Sequence, residues 1–400
     1  MALKNEEEST VRNSETTLRA ALIAASLAGI LFVGELVFRL GIAAKISFFR
    51  VPDQYADELS DDDYWKLHQL WVREGGSTGT GAVDPLLGWA PRKTPRNPLG
   101  VITESAAYVP DFAGRVILCF GDSFMAGAQQ LPIADRLPQQ LAAVLPQYEV
   151  YNFGVGGYGV DQILLRFRTV HPQFAQAVVV IGILTRDLDR SVLTYRGAPK
   201  PYFVLEDDRL VLREPAADPS RFLLEHPPSI HSYFLSFLST RTWRLVETVY
   251  GDHIKRRSAK IAINARIIEE MVGEARAHRL EPIFVIFYVN QELHVTSWRE
   301  RLIKDALSNV SARYVDSKKL FLEASGSERK STRRFYLLPG NGHPNGAGYQ
   351  LLATELAKVI VESETRRNSE VGNQAGLGAR LPEPILDATS DGAVHSPRGG

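Results

Sequence analysis

The fold of this chain is indicated by the stretch from Val116 to Phe124, VILCFGDSF. Its first five residues are all apolar, as in a strand covered on both faces, whereas a half-exposed strand alternates apolar and polar residues. Gly121 then permits a sharp turn, and Asp122 and Ser123 are residue types that cap helix starts. The stretch predicts a buried strand, a tight turn and a helix. Ser123 then lies at the carboxyl end of the strand, where open α/β sheets place their ligands.

Ser123 has two interpretations at this point. It is either a helix cap or a reactive serine presented at the sheet edge. Gly-Asp-Ser is a short string, expected by chance in about one chain in ten of this length. The stretch alone leaves both interpretations open.

Apolar strands and amphipathic helices alternate from Arg115 onward. Because such alternation is typical of a parallel sheet with helices on both faces, it predicts an α/β domain. The predicted strands are 116–120, 149–151, 177–183, 282–288 and 312–315, and the predicted helices are 134–144, 160–168, 261–278, 297–309 and 348–361.

Residues 189–260 interrupt this alternation and are too long for an ordinary connection. The apolar runs 202–206 and 209–213 flank Asp207-Asp208, which predicts a hairpin, and 232–250 has the pattern of an amphipathic helix. This insertion is either a lid or binding wall above the site or a packed decoration without function.

The segment from Ala20 to Phe38 is almost wholly apolar, broken by Ser26 and Glu35. Its length suits one membrane span. A cleaved signal peptide and a buried core helix are the alternatives, but the small-residue cleavage site after residue 40 is weak and residues 20–34 have no polar face. We expect a membrane anchor. Three basic residues flank it on each side, so charge does not set its orientation.

The sequence predicts five segments along the chain. They are a polar, flexible tail over 1–19, the anchor over 20–40, a connecting region over 41–110, the α/β domain over 111–362 with its 189–260 insertion, and a disordered tail over 363–400. Within the connecting region, the Gly-rich residues 75–81 are predicted to form a loop.

Charge and composition exclude some classes of protein. Lys and Arg total 46, as do Asp and Glu, so the net charge is zero and we expect no nucleic-acid partner. The single cysteine, Cys119, lies in the first predicted strand and is expected to pack as a small hydrophobe. The sequence has no metal-ligand cluster and no phosphate loop, so we expect neither a metal nor a cofactor.

Two later motifs complete a pattern with the Ser123 turn. NFGVGGYG, at 152–159, follows the second predicted strand, and GHPNGAG, at 342–348, precedes the last helix. With the lead-in DPLLGW at 84–89, they resemble the membrane-anchored bacterial branch of the GDSL/SGNH hydrolase family, over about residues 111–361. The resemblance implies a flavodoxin-like three-layer α/β fold with a five-stranded parallel sheet. To this fold the sequence adds the inserted hairpin/helix segment and an N-terminal transmembrane helix.

The resemblance also implies site residues. Because a serine hydroxyl needs a base within hydrogen-bond reach, His343 is expected to activate Ser123. The family's oxyanion glycine corresponds to Gly157, whose backbone N–H would act together with that of Ser123. Gly157 has the alternative of being one turn glycine among several.

Two positions depart from the family pattern. Arg186 stands where the family has a donor asparagine. It can donate to the oxyanion, bind an anionic substrate, or pair with Asp187 or Asp189. Asn341 stands where the family often has the aspartate that orients the histidine, and an amide orients the ring without stabilising its positive charge. A serine–histidine dyad, or an acid from elsewhere such as Asp187, are the other options.

The resulting expectation is a membrane-anchored esterase or acyl hydrolase that forms an acyl-enzyme on Ser123. Its substrate would be an acyl ester, and the resemblance alone suggests acylated envelope carbohydrate. The resemblance also implies a cytoplasmic N-terminus and an extracytoplasmic catalytic domain. Two alternatives stay open: an SGNH-like protein that binds acylated glycan with little or no catalysis, and an O-acyltransferase that uses the same site.

Overall fold

The computed structural model describes residues 2–71, 82–103, 115–174, 177–240, 254–326, 331–337 and 342–378. The chain divides into two units, 1–357 and 358–400. The predicted loop at 75–81 and Asn341 lie outside the described residues, as do 241–250 of the predicted insertion helix.

A five-stranded parallel sheet lies at the centre of the first unit, with its strands in the order 148–152, 115–120, 177–184, 282–287 and 313–316. Its strands carry runs of apolar residues, and the middle of the sheet is fully buried, as the sequence predicts. The fold class is confirmed. The strands, including two short hairpins, are β1 (Ala82–Asp84), β2 (Gly88–Ala90), β3 (Arg115–Phe120), β4 (Tyr148–Asn152), β5 (Ala177–Leu184), β6 (Tyr202–Glu206), β7 (Arg209–Arg213), β8 (Pro282–Phe287) and β9 (Arg313–Asp316).

Helices cover both faces of the sheet. The chain moves one way along the sheet from β3 to β4 and the other way from β4 to β5, so right-handed connections place α4 and α5 on opposite faces. The α-helices are α1 (Ala2–Ala43), α2 (Asp62–Trp71), α3 (Ser123–Ala126), α4 (Leu137–Val144), α5 (Val160–Val170), α6 (Asp187–Arg190), α7 (Pro219–Glu225), α8 (Ile254–Ala277), α9 (Trp298–Asn309), α10 (Ser317–Ala324) and α11 (Gly346–Gly378).

Helices reach into both predicted tails. Helix α1 begins at Ala2 and so includes residues 2–19, and α11 continues to Gly378, past residue 363, where the predicted disordered tail begins. Both extensions continue an apolar helix into polar sequence. Extending an existing helix costs much less free energy than nucleating a new one, so polar residues next to an apolar helix can become helical. Composition alone does not reveal this effect.

The insertion contains the predicted hairpin, β6–β7, with Asp207 and Asp208 at positive φ in its turn. Residues 233–240 are helical, as predicted. The Glu35 carboxylate in α1 accepts hydrogen bonds from the Ser232 hydroxyl (2.7 Å) and the Phe234 N–H (3.1 Å), so it caps this helical stretch. The insertion is therefore fastened to the last turns of α1.

The connecting region packs onto the α/β domain instead of running free. The Gln162 amide of α5 donates to the Leu87 carbonyl at 2.8 Å, and the buried Arg166 guanidinium donates to the Leu99 carbonyl. Asp62, at the start of α2, accepts the N–H of Thr194 at 2.9 Å. These bonds hold Leu87 and Leu99 against α5, and the start of α2 against the segment that follows α6.

Candidate active site

Ser123 is the first residue of α3, directly after the turn that ends β3. The Asp122 carboxylate caps this helix by accepting the Phe124 N–H at 2.7 Å. A Cβ at Gly121 would lie 2.6 Å from the Met125 Cβ, so the turn requires glycine. Because Asp122 is the N-cap, Ser123 need not serve as one, and its hydroxyl is left for another partner.

That partner is His343. Its Nε2 lies 2.8 Å from Ser123 Oγ, across 220 positions of sequence. The Asp122 carboxylate is a second acceptor for the hydroxyl at 3.4 Å, so the imidazole is the closer of the two. The structure therefore brings together the predicted nucleophile and the predicted base.

A braced loop holds His343 in place. The Leu337 N–H donates to the His343 carbonyl at 2.9 Å, and Gly342 adopts a φ of 76°, in the left-handed region that favours glycine. Asn345 then caps α11 by accepting the Gly348 N–H at 3.1 Å. The imidazole stacks on the Phe124 ring with 4.3 Å between ring centroids, which fixes its plane next to Ser123.

The environment of His343 favours its neutral form. The residue is only 6% exposed, and burial lowers the pKa of the imidazole below its ordinary value. Of the nearby charges, Asp122 raises this pKa and Arg190 lowers it. A neutral imidazole is the form that can accept a proton from Ser123.

A buried cation joins two carboxylates behind the serine. Arg190 Nη1 lies 2.8 Å from Asp122 Oδ2 and 2.6 Å from Asp187 Oδ1. Asp187 also accepts the Leu184 N–H at 2.9 Å. Burial and the neighbouring Asp122 raise the pKa of Asp187 well above its usual range, against the effect of Arg190. Sequence reasoning missed Arg190, although its spacing of three residues from Asp187 in a helical turn was a usable signal.

The group that orients His343 was predicted to be the Asn341 amide or an acid from elsewhere such as Asp187, with a serine–histidine dyad as the third option. Asn341 lies outside the described residues. The Asp187 carboxylate instead binds Arg190 and the Leu184 N–H. The charge of the Asp122 carboxylate raises the pKa of the His343 imidazole.

Gly157 lies in a turn next to the serine. Its φ is 85°, in the left-handed region that favours glycine, and a Cβ there would meet the Arg196 guanidinium. A Cβ added to the preceding Gly156 would lie 3.9 Å from the Ser123 Cβ. The turn therefore faces Ser123.

Arg186 does not pair with Asp187 or Asp189. Its Nε lies 3.3 Å from Glu292 Oε1, and about a third of its side chain is exposed. Glu292 also accepts the Thr185 hydroxyl at 2.6 Å. Asp189 instead binds Lys260 and Arg299. Glu292 carries no motif in the sequence, so its partnership with Arg186 was not predictable.

Within the described ranges, no group of three or more His, Cys, Asp or Glu side chains could hold a metal ion. The chemistry that the site offers is that of a serine hydroxyl beside a neutral imidazole, with backbone donors near the serine.

Comparisons with known proteins agree with this chemistry. The sequence model of the GDSL-like lipase/acylhydrolase family matches residues 119–351. No curated protein matches the chain.

Three solved structures illustrate the likeness. A member of the lipolytic G-D-S-L family from Veillonella parvula DSM 2008 is 12% identical and has a TM-score of 0.37, with 62% of this chain and 98% of that chain covered. TesA is 14% identical and has a TM-score of 0.35, with 61% of this chain and 97% of that chain covered. The acetyl xylan esterase AlAXEase is 11% identical and has a TM-score of 0.37, with 61% of this chain and 99% of that chain covered. Because the family match spans more than half of the 400 residues and includes Ser123, Gly157 and His343, the chain belongs to the GDSL-like lipase/acylhydrolase family.

Proposed function

We propose that this protein is a serine esterase or acyl hydrolase that forms an acyl-enzyme on Ser123. The observation that supports this proposal is the 2.8 Å hydrogen bond between Ser123 Oγ and His343 Nε2. A serine hydroxyl is a weak nucleophile until a base removes its proton, and the lowered pKa of His343 keeps that base neutral near pH 7.

The proposed reaction has two halves. His343 takes the Ser123 proton as Oγ attacks the ester carbonyl, and the imidazolium then gives that proton to the departing alcohol. Water hydrolyses the acyl-enzyme in the same way and leaves a carboxylic acid and the free serine. The negative charge on the carbonyl oxygen would be held by the backbone N–H groups of Ser123 and Gly157. As the first residue of a helix, Ser123 has no intrahelical acceptor for its N–H.

The test is turnover of p-nitrophenyl acetate by the parent protein and by Ser123→Ala. Loss of turnover in Ser123→Ala, with an unchanged melting temperature, is expected. Ser308→Ala, an exposed position in α9, is the matched control and should keep the parent rate. A fluorophosphonate should label Ser123 in the parent and in Ser308→Ala. Parent-like turnover by Ser123→Ala would exclude this serine.

We propose in addition that α1 anchors the protein in a membrane, with the catalytic domain on the extracytoplasmic side. Residues Thr16–Ala43 form a helix that is long and apolar enough to span a membrane, and very little of its apolar stretch is buried by the rest of the protein. The full chain should resist carbonate extraction and keep its N-terminus. Release of an uncleaved chain into the soluble fraction would contradict the anchor, and a new N-terminus after residue 40 would indicate a signal peptide.

The substrate class that we propose is O-acylated envelope carbohydrate, by resemblance to the anchored branch. Acetate release from an O-acetylated glycan, followed by NMR, would support hydrolysis. Appearance of the acyl group on an added acceptor sugar would support transfer. Binding of the glycan by a parent protein that turns over no ester would favour the non-catalytic alternative.

A further inference from the structure

Two side chains fix the turn that contains Gly157, and one of them comes from outside the segment that the family model matches. The Trp89 indole N–H donates to the Gly156 carbonyl at 3.1 Å. Arg196 Nη1 donates to the Gly157 carbonyl at 2.9 Å. Trp89 lies in the connecting region, upstream of residues 119–351.

The first bond controls the orientation of the Gly157 N–H. The Gly156 carbonyl and the Gly157 N–H belong to one planar, trans peptide group, so they point in opposite directions. Holding the carbonyl toward Trp89 therefore directs the N–H to the other side of the turn. The turn faces Ser123, since a Cβ on Gly156 would lie 3.9 Å from the Ser123 Cβ.

The second bond holds the peptide group that follows. With the carbonyls of Gly156 and Gly157 both bound, the peptide planes on either side of the Gly157 Cα are fixed, and with them its φ of 85°. Arg196 is itself held by Trp65 of α2, with its guanidinium carbon 4.5 Å from the ring centroid. Trp89 is held by Tyr158, whose hydroxyl donates to the Trp89 carbonyl at 2.5 Å.

The Gly157 N–H is available to donate a hydrogen bond to a ligand. Gly157 is buried, yet within the described part of the chain no protein group accepts its N–H. Because a buried N–H needs an acceptor, this one can donate to a bound substrate oxygen.

We propose that Trp89 and Arg196 are positioning residues that fix the Gly157 N–H toward the oxyanion, so that the connecting region completes the active site. This inference rests on the proposed esterase function. A freely rotating glycine would have to be ordered in the transition state, whereas a fixed donor needs no reorganisation.

The test is Trp89→Phe, which keeps the ring and removes the N–H, with Trp71→Phe as the matched control. Trp71 packs on Tyr55 and Tyr233, at the end of α2. With p-nitrophenyl acetate and sites titrated by fluorophosphonate, Trp89→Phe should lose about 10- to 100-fold in kcat, with KM within about two-fold and an unchanged melting temperature. Trp71→Phe should keep the parent kcat. If Trp89→Phe does not fold, Arg196→Lys, which keeps the charge, carries the same test.

Hydrogen exchange separates this inference from the proposed function. The peptide 153–159 should exchange faster in Trp89→Phe than in the parent, while a β3 peptide should be unchanged. If the parent hydrolyses no ester but the peptide still exchanges faster in Trp89→Phe than in the parent, the positioning role is upheld and the esterase function is overturned. An active parent whose Trp89→Phe variant keeps both kcat per titrated site and the exchange rate would overturn the positioning role.

Discussion

Arg186 and Glu292 form an ion pair in which Arg186 Nε lies 3.3 Å from Glu292 Oε1. The pair joins the loop after β5 to the short helix Asn290–Glu292 that follows β8. In the described chain the terminal Nη groups of Arg186 make no hydrogen bond, so they keep their capacity to donate. Glu292 thus orients Arg186, the residue predicted to stand in place of the family's asparagine donor.

Arg186→Ala tests whether the Arg186 guanidinium acts in the transition state. If it donates to the oxyanion, kcat should fall about 100-fold with little change in KM, because the bond strengthens only as charge develops. Glu292→Gln is the control: it removes the ion pair and keeps the arginine, so its effect should be much smaller. A rise in KM alone would assign Arg186 to substrate binding. Parent kinetics in Arg186→Ala would make it a surface residue without a role in the reaction.

Arg190→Met should destabilise the fold. The guanidinium is the cation shared by the fully buried carboxylates of Asp122 and Asp187, and removing one partner of such a buried group costs about 3–5 kcal/mol. Urea unfolding at pH 7 measures the loss. Combining Arg190→Met with Asp187→Asn should recover part of the lost unfolding free energy, because the second substitution removes one buried charge.

The stability that Arg190→Met loses should be smaller at acidic pH. The pKa of Asp187 is already raised by burial, and without Arg190 this carboxyl would protonate still more readily in the folded state. A folded-state pKa above the unfolded value gives stability at low pH that is lost as the pH rises. The parent and Arg190→Met should therefore differ less at pH 5 than at pH 7. An equal difference at both values would contradict this account.

The acidic limb of kcat/KM should lie below pH 6.5. His343 must be neutral to accept the Ser123 proton, and burial lowers its pKa from an ordinary value of 6.5. Activity is therefore lost only when the pH falls through that lowered value. A pH–rate profile of ester hydrolysis measures the pH of this limb, and His343→Ala should abolish that hydrolysis. A limb at or above pH 6.5 would mean that the imidazole is more solvated than its burial indicates.

Asn341→Asp should increase kcat/KM if residue 341 orients His343. A carboxylate would stabilise the imidazolium that forms during attack, which an amide does not, and it would move the acidic limb upward. Comparing the pH–rate profiles of the parent and Asn341→Asp on one ester measures both effects. An unchanged or reduced rate would direct attention to another carboxylate, with Asp122 the first candidate because its charge already acts on His343.

Much of this protein could be predicted from its sequence because the signals are local. Apolar runs mark the buried strands, Asp207-Asp208 marks a hairpin turn, and the glycines beside Ser123 and His343 mark tight turns. Each depends on residues close together in the chain, whose spacing alone sets a strand, turn or helix start. The parallel sheet and the order of the serine and histidine loops follow from these signals.

Only the tertiary structure decided which charged and polar groups meet. Arg190 bridges Asp122 and Asp187, Arg186 pairs with Glu292, and Trp89 holds the turn before Gly157. Apart from Arg190 and Asp187, which share α6, these partners are far apart in the sequence, and strand order together with packing brings them within hydrogen-bond reach. Sequence spacing carries no information about these long-range contacts, because the strands and helices between the partners set the distance in space.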